Sequence, residues 1–204
     1  MPLSEPRKIL YEYLNVELNL KEPPEGRSNK SFKGYIFSKI LSDHLKKYLS
    51  KDYKIVIGPL WIKDLEWIEW DCAVVKKDAK AEYRRYNPDD IIALFECKVS
   101  GIYDRLKELP KRYIKINGIF EEAKNICSNL IKCIYVSLME AKPKNKGFNY
   151  YEETKKNIEN SFILFNSRSV EKLKEMFSDP REIASKAEEF KGEWNKLIKI
   201  IRQL

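Results

Sequence analysis

The hydrophobic and polar positions of the chain follow two different periods, which together predict a mixture of helices and strands. Apolar side chains recur at helical spacing in residues 31–49 and again from residue 180 to the C-terminus, so each stretch predicts an amphipathic helix. Residues 53–63, 67–77 and 91–99 are shorter apolar runs rich in β-branched and aromatic side chains, and they predict strands. Because only loops join these three runs, they indicate an antiparallel meander.

The second half of the chain predicts a crossover followed by further elements. Residues 109–125 predict a helix with Pro110 in its first turn, and residues 131–139 predict a buried strand. A helix between two strands fits a crossover connection. Further predicted elements are a helix at 4–14, a helix at 150–157, a strand at 161–166, a helix at 170–177 and one C-terminal helix that starts at Ser178-Asp179-Pro180.

The order of these elements divides the chain into three parts of one globular unit. Residues 1–30 form an N-terminal helix and an arm that contains Pro23-Pro24, residues 31–140 form an α/β core, and residues 141–204 add a basic loop at 142–147, a strand and the C-terminal helices on the same domain. A chain of 204 residues is long enough to bury a core of its own. The apolar stripe of the last helix leaves open whether it covers the sheet or forms a homodimer contact.

Charge and composition narrow the class of protein. The chain has 39 Lys and Arg against 31 Asp and Glu, a formal net charge of +8, which favours a polyanionic partner without identifying it. A hydrophobic content of 43% with 34% charged residues excludes a disordered chain and a membrane protein. The N-terminus lacks the apolar block of a signal peptide, so we expect a cytoplasmic protein.

The four cysteines and the single histidine do not form a recognisable metal-binding set. Cys72, Cys97, Cys127 and Cys133 have no Cys-x-x-Cys spacing, and His44 does not complete a common zinc site with them. Cys72 and Cys97 lie inside apolar runs, which indicates small buried hydrophobic residues, although a bridge that depends on the fold stays open. We expect His44 to be an ordinary histidine without a functional role.

Charged residues inside two of the predicted strands suggest chemistry. Alternate side chains of a strand share a face, so Glu96 projects with Lys98, and Glu69 projects with Asp71. If the two strands are neighbours, Asp71, Glu96 and Lys98 converge. Two carboxylates supply hard oxygen ligands for Mg²⁺, and a lysine can orient the attacking water. The alternative without a catalytic role is an exposed Glu96–Lys98 ion pair on an edge strand.

An Asp followed by Glu-x-Lys on the next strand resembles the PD-(D/E)XK nuclease superfamily, whose core order of one helix, three strands, a helix and a strand also matches. The resemblance implies a restriction-endonuclease-like core with a mixed sheet flanked by helices. It implies that Asp71, Glu96 and the backbone carbonyl of Cys97 hold Mg²⁺, for which Mn²⁺ substitutes. It further implies that Lys98 sits beside the water that attacks the phosphodiester.

The chain departs from the superfamily pattern at two positions. Trp70 stands where many members have proline, and Ser38 stands where many members have a glutamate one turn after a basic residue and glycine, here Lys33-Gly34. Either Glu69 supplies the extra carboxylate, or one metal ion alone is firmly held.

Basic and aromatic residues around the predicted site suggest a nucleic-acid surface. Lysines and arginines spread over a groove neutralise phosphates and give an affinity that depends on salt. Tyr83 and Tyr86 are candidates for stacking on unpaired bases. The predicted DNA-binding residues are Lys76, Lys77, Lys80, Arg84 and Arg85 in the connector between the second and third strands, and Lys111, Arg112 and Lys115 in the following helix.

The sequence therefore predicts a Mg²⁺-dependent deoxyribonuclease that acts on DNA, with endonuclease favoured over exonuclease. A first alternative is a DNA-binding or recombination module that keeps the fold and has lost the complete metal site, which the serine at position 38 would support. A second alternative is a basic structural or protein-binding domain whose charged strand residues are part of its surface. The sequence leaves the shape and base sequence of the DNA open.

Overall fold

The computed structural model describes residues 2–19, 29–100, 109–127, 130–141 and 149–204 of the 204-residue chain. Most of the predicted N-terminal arm, and the predicted basic loop at 142–147, lie outside these ranges.

Six strands form one mixed sheet, and its strand order is β3-β1-β2-β4-β5-β6. The neighbours β1 and β2, and β2 and β4, are antiparallel, which confirms the predicted meander. The strands are β1 (Tyr53–Ile62), β2 (Trp70–Lys76), β3 (Arg85–Tyr86), β4 (Ile91–Ser100), β5 (Lys132–Met139) and β6 (Ser161–Phe165).

The crossover after β4 is also confirmed. β4 and β5 are parallel, and the helix α3 (Leu109–Cys127) lies between them along the chain. β5 and β6 are parallel as well, and the shorter helix α4 (Tyr150–Asn157) connects them. Parallel neighbours need such a return path, because the chain must come back to the end of the sheet from which it started. The two-residue β3, which pairs with the end of β1, was not predicted.

The remaining helices cover one face of the sheet, and their apolar sides bury the larger of two hydrophobic clusters. Val74, Phe95 and Val136 are among the strand residues that the sheet contributes to this cluster. The helices are α1 (Glu5–Asn19), α2 (Asn29–Leu45), α5 (Ser167–Met176), α6 (Pro180–Lys186) and α7 (Glu193–Ile201).

The opposite face of the sheet packs against α3 and α4. Ala73, Leu94 and Tyr135 are buried there together with Tyr113 and Phe120 of α3. Because side chains alternate along a strand, positions 94, 96 and 98 of β4 point to this second face. The charged residues of β4 therefore lie on the side of the sheet that carries α3.

The prediction of one unbroken C-terminal helix is wrong. α6 ends at Lys186, and the segment before α7 runs along β6, where Phe165 forms a β-bridge with Glu189 and the Phe190 N–H donates to the Leu164 carbonyl. Gly192 then takes a left-handed conformation with φ of 83° at the start of α7. Backbone pairing with β6 thus competes with the helix, and glycine permits the turn.

The apolar stripe of this region covers the chain's own sheet. Trp194, Leu197 and Ile201 of α7 are buried in the larger cluster. This stripe therefore needs no second copy to cover it, and a homodimer stays a prediction.

The second strand begins at Trp70 and not at residue 67, so the prediction that Glu69 lies within the strand is wrong. Residues 63–69 instead form turns, in which the Leu65 N–H donates to Ile62 and the Ile68 N–H donates to Leu65. Leu65 and Ile68 are buried, and their packing stops the extended chain from starting earlier. Glu69 is exposed just before the strand.

The four cysteines are buried and free, which confirms the prediction for Cys72 and Cys97. Among the helices of the described ranges, none combines the length and the apolar content needed to cross a bilayer.

Candidate active site

The site begins where β2 and β4 stop pairing through their backbones. Their ladder runs from Val75 opposite Ile91 to Cys72 opposite Phe95. At the residue before Cys72, the Asp71 side chain takes the place of a backbone acceptor. Its Oδ2 accepts a hydrogen bond of 2.7 Å from the Cys97 N–H. This bond joins the Asp71 carboxylate to the peptide group that links Glu96 to Cys97.

Lys98 brings the two carboxylates into one cluster. Its Nζ lies 2.5 Å from Oε1 of Glu96 and 3.7 Å from Oδ2 of Asp71. The side chains of Asp71 and Glu96 are 28% and 25% exposed, and that of Lys98 is 41% exposed. The structure therefore places all three predicted residues together, and each side chain is half-buried. Chemically, they offer two anionic oxygens next to one proton donor.

The electrostatics of the cluster raise the pKa of both Glu96 and Lys98. Burial raises the pKa of Glu96 and the Asp71 charge adds to this effect, while Lys98 opposes it. Burial lowers the pKa of Lys98, but the charges of Glu96 and Asp71 more than offset this and raise it. Two anions held so close stabilise a nearby cation.

Asp71 is positioned by an unusually close approach of β1. The pairing of β1 with β2 shifts register between Ile57 and Leu60, next to Gly58. A Cβ atom on Gly58 would lie 2.1 Å from the Trp70 carbonyl oxygen and 2.8 Å from that of Asp71. Only glycine leaves room for this contact. The predicted strand at residues 53–63 gave no sign of this packing of Gly58 against Trp70 and Asp71.

The three predicted cations of α3 lie at the same end of the sheet as the cluster. α3 follows β4 and precedes the parallel β5, so its first turns lie where β4 ends. Lys111, Arg112 and Lys115 are exposed on these turns. The charge of Lys115 lowers the pKa of Glu96, so this lysine is close enough to act on the site.

The expectation that the connector adjoins the site is wrong for Lys76 and Lys77. Lys76 ends β2 five residues after Asp71, which corresponds to roughly 16 Å along an extended strand. It pairs there with Asp90 at 3.7 Å. Closeness in sequence was misleading here, because the two termini of a strand lie at opposite ends of the sheet.

The later part of the connector returns along β1. The Trp61 N–H donates to the Arg84 carbonyl, and Arg85 lies 4.0 Å from Glu66. Tyr83 is 84% exposed, whereas Tyr86 is half-buried. Lys80 is exposed between the two lysines at the end of β2 and this pair of arginines.

The position of β4 in the sheet and the environment of Ser38 bear on two alternatives that the sequence left open. β4 lies between β2 and β5, so the Glu96–Lys98 pair is not on an edge strand. Ser38 is buried, and its Oγ donates to the Gly34 carbonyl one turn earlier in α2. The position where many superfamily members carry a glutamate thus holds a hydroxyl that is bonded within its own helix.

The donor chemistry of the cluster fits one hard divalent cation. Asp71 and Glu96 supply carboxylate oxygens, and Mg²⁺ commonly takes one or two carboxylates and completes its shell with water and phosphate. Within the described ranges, no group of three or more His, Cys, Asp and Glu side chains could hold a metal. The fit is therefore to a site with two carboxylates, and a contribution from Glu69 stays a prediction.

The mixed sheet flanked by helices is a restriction-endonuclease-like fold, and the cluster lies at the end of its central strands. Two solved structures of NucC share the fold, both in the cAAA-bound form. That of P. aeruginosa ATCC27853 has a TM-score of 0.54 and 10% identity, over 97% of this chain and 87% of its own. That of E. coli MS115-1 has a TM-score of 0.52 and 12% identity, over 100% and 90%. No protein-family model and no curated protein matches the sequence.

Proposed function

We propose that this chain is a Mg²⁺-dependent deoxyribonuclease, with Asp71, Glu96 and the Cys97 carbonyl as the metal ligands. The observation that carries the proposal is the contact of Lys98 with both carboxylates on the α3 face of the sheet. The nuclease-type fold supports it, because the cluster lies on adjacent central strands of that fold. Mn²⁺ is expected to substitute for Mg²⁺.

Each residue has a defined task in this proposal. When bound, Mg²⁺ would activate a water molecule and stabilise negative charge on the phosphate oxygens. Lys98 orients the attacking water through its Nζ, and its charge lowers the cost of holding two carboxylates side by side. The Cys97 N–H holds Asp71 in place. Glu96 is the second carboxylate ligand and also fixes the Lys98 ammonium.

DNA reaches the cluster past the first turns of α3. Lys111, Arg112 and Lys115 are exposed there, and cations at such positions bind phosphates without reading sequence. The substrate proposed is therefore the DNA backbone, and the reaction is hydrolysis of internal phosphodiester bonds.

The test is a cleavage panel of linear, nicked, flapped and four-way DNA in Mg²⁺, in Mn²⁺ and in chelator. Because the two NucC structures described above are cAAA-bound, each reaction is run with and without cAAA. We expect cleavage in either metal, none in chelator, and a loss of at least about 100-fold in Glu96→Ala. Glu121→Ala, an exposed carboxylate paired with Lys124 on α3, is the matched control and should cleave normally.

A DNA-binding module without catalysis is the second candidate, because Ser38 replaces a carboxylate of the superfamily pattern. Salt-dependent DNA binding with no cleavage in any arm of the panel would support this candidate and contradict the nuclease proposal. If the protein neither binds nor cleaves DNA, the result would support the alternative of a basic structural domain.

A further inference from the structure

We propose that Trp67 stacks on an unpaired base beside the cleaved phosphate, so that the nuclease prefers DNA with single-stranded segments. This inference rests on the proposed function and names its substrate class. Base stacking on an aromatic ring tolerates any sequence, because every base has a π-face.

Trp67 is held outward by a turn that is itself anchored. Of the four tryptophans, which all lie within the described ranges, only Trp67 is largely exposed, at 65%. Leu65 and Ile68 on either side of it are 1% and 6% exposed, and backbone hydrogen bonds close the turn around them. The ring therefore projects from a fixed backbone, which lowers the entropy lost when a base packs against it.

The turn lies on the face of the sheet that carries the cluster. Leu65 and Ile68 belong to the same buried cluster as Tyr113 of α3. Trp67 is four residues before Asp71, so their Cα atoms are at most about 14 Å apart. That distance corresponds to at most about four base steps of 3.4 Å, so a strand with its phosphate at the cluster can reach the ring.

Exposed charges of both signs lie near this position, with Asp64, Glu66 and Glu69 on the turn itself. The turn is joined to β3, since the Lys63 N–H donates to the Tyr86 carbonyl and Glu66 lies 4.0 Å from Arg85. Lys111 and Lys115 are exposed on α3. An exposed ring on the sheet face that carries a candidate phosphodiester site, with cations on the neighbouring helix α3, is a combination that suits binding of a single strand. An apolar protein partner would instead favour a larger uncharged patch.

The experiment measures binding in chelator by fluorescence anisotropy, so that its result does not depend on cleavage. Wild type, Trp67→Ala, Trp67→Phe and Leu130→Ala are each titrated into a labelled blunt duplex and a duplex with an unpaired segment. Leu130 is a matched control, because it is 85% exposed and lies just before β5, at the end of the sheet away from the cluster. We expect Trp67→Ala to weaken binding of the unpaired segment by about 5-fold to 100-fold, with Trp67→Phe intermediate and Leu130→Ala unchanged.

A direct readout covers the case in which the alanine variant folds poorly. The difference in fluorescence between wild type and Trp67→Phe reports Trp67 itself, and stacking on a base should quench it when a single-stranded oligonucleotide is added. Absence of quenching at saturating oligonucleotide would overturn the inference.

Other outcomes separate the two proposals. If wild type cleaves DNA but Trp67→Ala binds both substrates like wild type, or loses affinity equally for both, the stacking inference falls and the nuclease proposal stands. If wild type neither binds nor cleaves DNA, both fall. A lower mass of Trp67→Ala in light scattering, with DNA preference unchanged, assigns the ring to a contact between copies and also overturns the inference.

Discussion

Asp71 serves both the fold and the proposed chemistry through one carboxylate. Its Oδ2 accepts from the buried Cys97 amide at 2.7 Å and lies 3.7 Å from the Lys98 ammonium. A buried N–H without an acceptor costs about 1–3 kcal/mol. The same side chain is therefore expected to contribute to stability as well as to hold a metal ion, and two substitutions can separate these contributions.

Asp71→Asn and Asp71→Ala should lose cleavage alike but differ in stability. Asparagine keeps an oxygen that accepts from the Cys97 N–H, whereas alanine leaves this donor unpaired. Both remove the charge that raises the pKa of Glu96, so that effect cancels in the comparison. We expect Asp71→Ala to be about 1–2 kcal/mol less stable than Asp71→Asn in urea unfolding. Equal stabilities would contradict the structural contribution of the bond.

Away from the site, the buried carboxylate of Glu193 predicts that the free energy of unfolding depends on pH. This carboxylate is 0% exposed and bonds with Lys155 at 2.9 Å, Lys196 at 3.1 Å and Tyr151 at 3.1 Å. Burial raises the pKa of Glu193, but the two lysines more than offset this and lower it below its ordinary value. A lowered pKa in the folded state stabilises the protein above the unfolded pKa, and this stabilisation is lost as the pH falls through the folded pKa.

Glu193→Gln should therefore lower the free energy of unfolding by about 2 kcal/mol at pH 7. The difference from wild type should stay constant down to about pH 5.5 and shrink below the ordinary pKa of glutamate. Urea unfolding between pH 3 and pH 8 measures it. Glu182→Gln, which breaks an exposed pair with Lys186, is the control and should change stability by less than about 0.5 kcal/mol. A pH-independent effect of Glu193→Gln would contradict the linkage.

The close contact of β1 with β2 makes a substitution at Gly58 the most direct test of how the two strands pack. Gly58→Ala would place a methyl group against the Trp70 carbonyl, a backbone atom that cannot move away without shifting the start of β2. We expect a loss of about 1–3 kcal/mol in the free energy of unfolding. Because Asp71 follows Trp70, we also expect cleavage to fall.

Gly34→Ala is the matched control for this substitution. Gly34 lies inside α2, and a Cβ there meets nothing within 4 Å. Alanine should therefore stabilise the helix by about 0.5–1 kcal/mol. The two Gly→Ala variants are thus expected to shift thermal unfolding in opposite directions, and a stabilised Gly58→Ala would contradict the close approach.

The sequence predicted the elements whose pattern is local and missed those that depend on distant partners. The strand runs around Asp71 and Glu96, and the helix between β4 and β5, were recognisable because burial sets their apolar periods. The break before α7 was not, since the apolar spacing of residues 180–204 continues across a segment that pairs with β6. Only the position of β6 shows why the helix stops.

Part of the candidate site was predictable because it, too, depends on a local pattern. Side-chain alternation on β4 placed Glu96 with Lys98, and antiparallel neighbours brought Asp71 beside them. The bond from the Cys97 amide and the approach of Gly58 could not be inferred, because both depend on where a strand ladder ends and shifts register. Lys76 and Lys77 were expected at the wrong end of the sheet for a different reason, because closeness in sequence was taken for closeness in space.

The whole molecule has two chemically different sheet ends. The end where β4 finishes carries the cluster and the start of α3, whose helix dipole adds positive potential to that of Lys111 and Lys115. The other end carries Lys76 and Lys77. A net charge of +8 alone predicts affinity for any polyanion, but it does not say which end binds.

The salt dependence of DNA binding can locate the binding end. Each cation that contacts a phosphate contributes about 0.9 to the slope of log affinity against log salt concentration. The double variant Lys111→Ala, Lys115→Ala should therefore lower the magnitude of the slope by up to about 1.8. Anisotropy titrations at several salt concentrations measure it.

The control for this prediction removes the same two positive charges from the other end. Lys76→Ala, Lys77→Ala has the same net charge as the α3 double variant, so a long-range effect of net charge would change both slopes equally. We expect the slope of the control to match wild type, because roughly 16 Å of strand separates Lys76 from Asp71 and exceeds the screening length of about 8 Å at physiological salt. Equal slopes for the two double variants would contradict a DNA path along the first turns of α3.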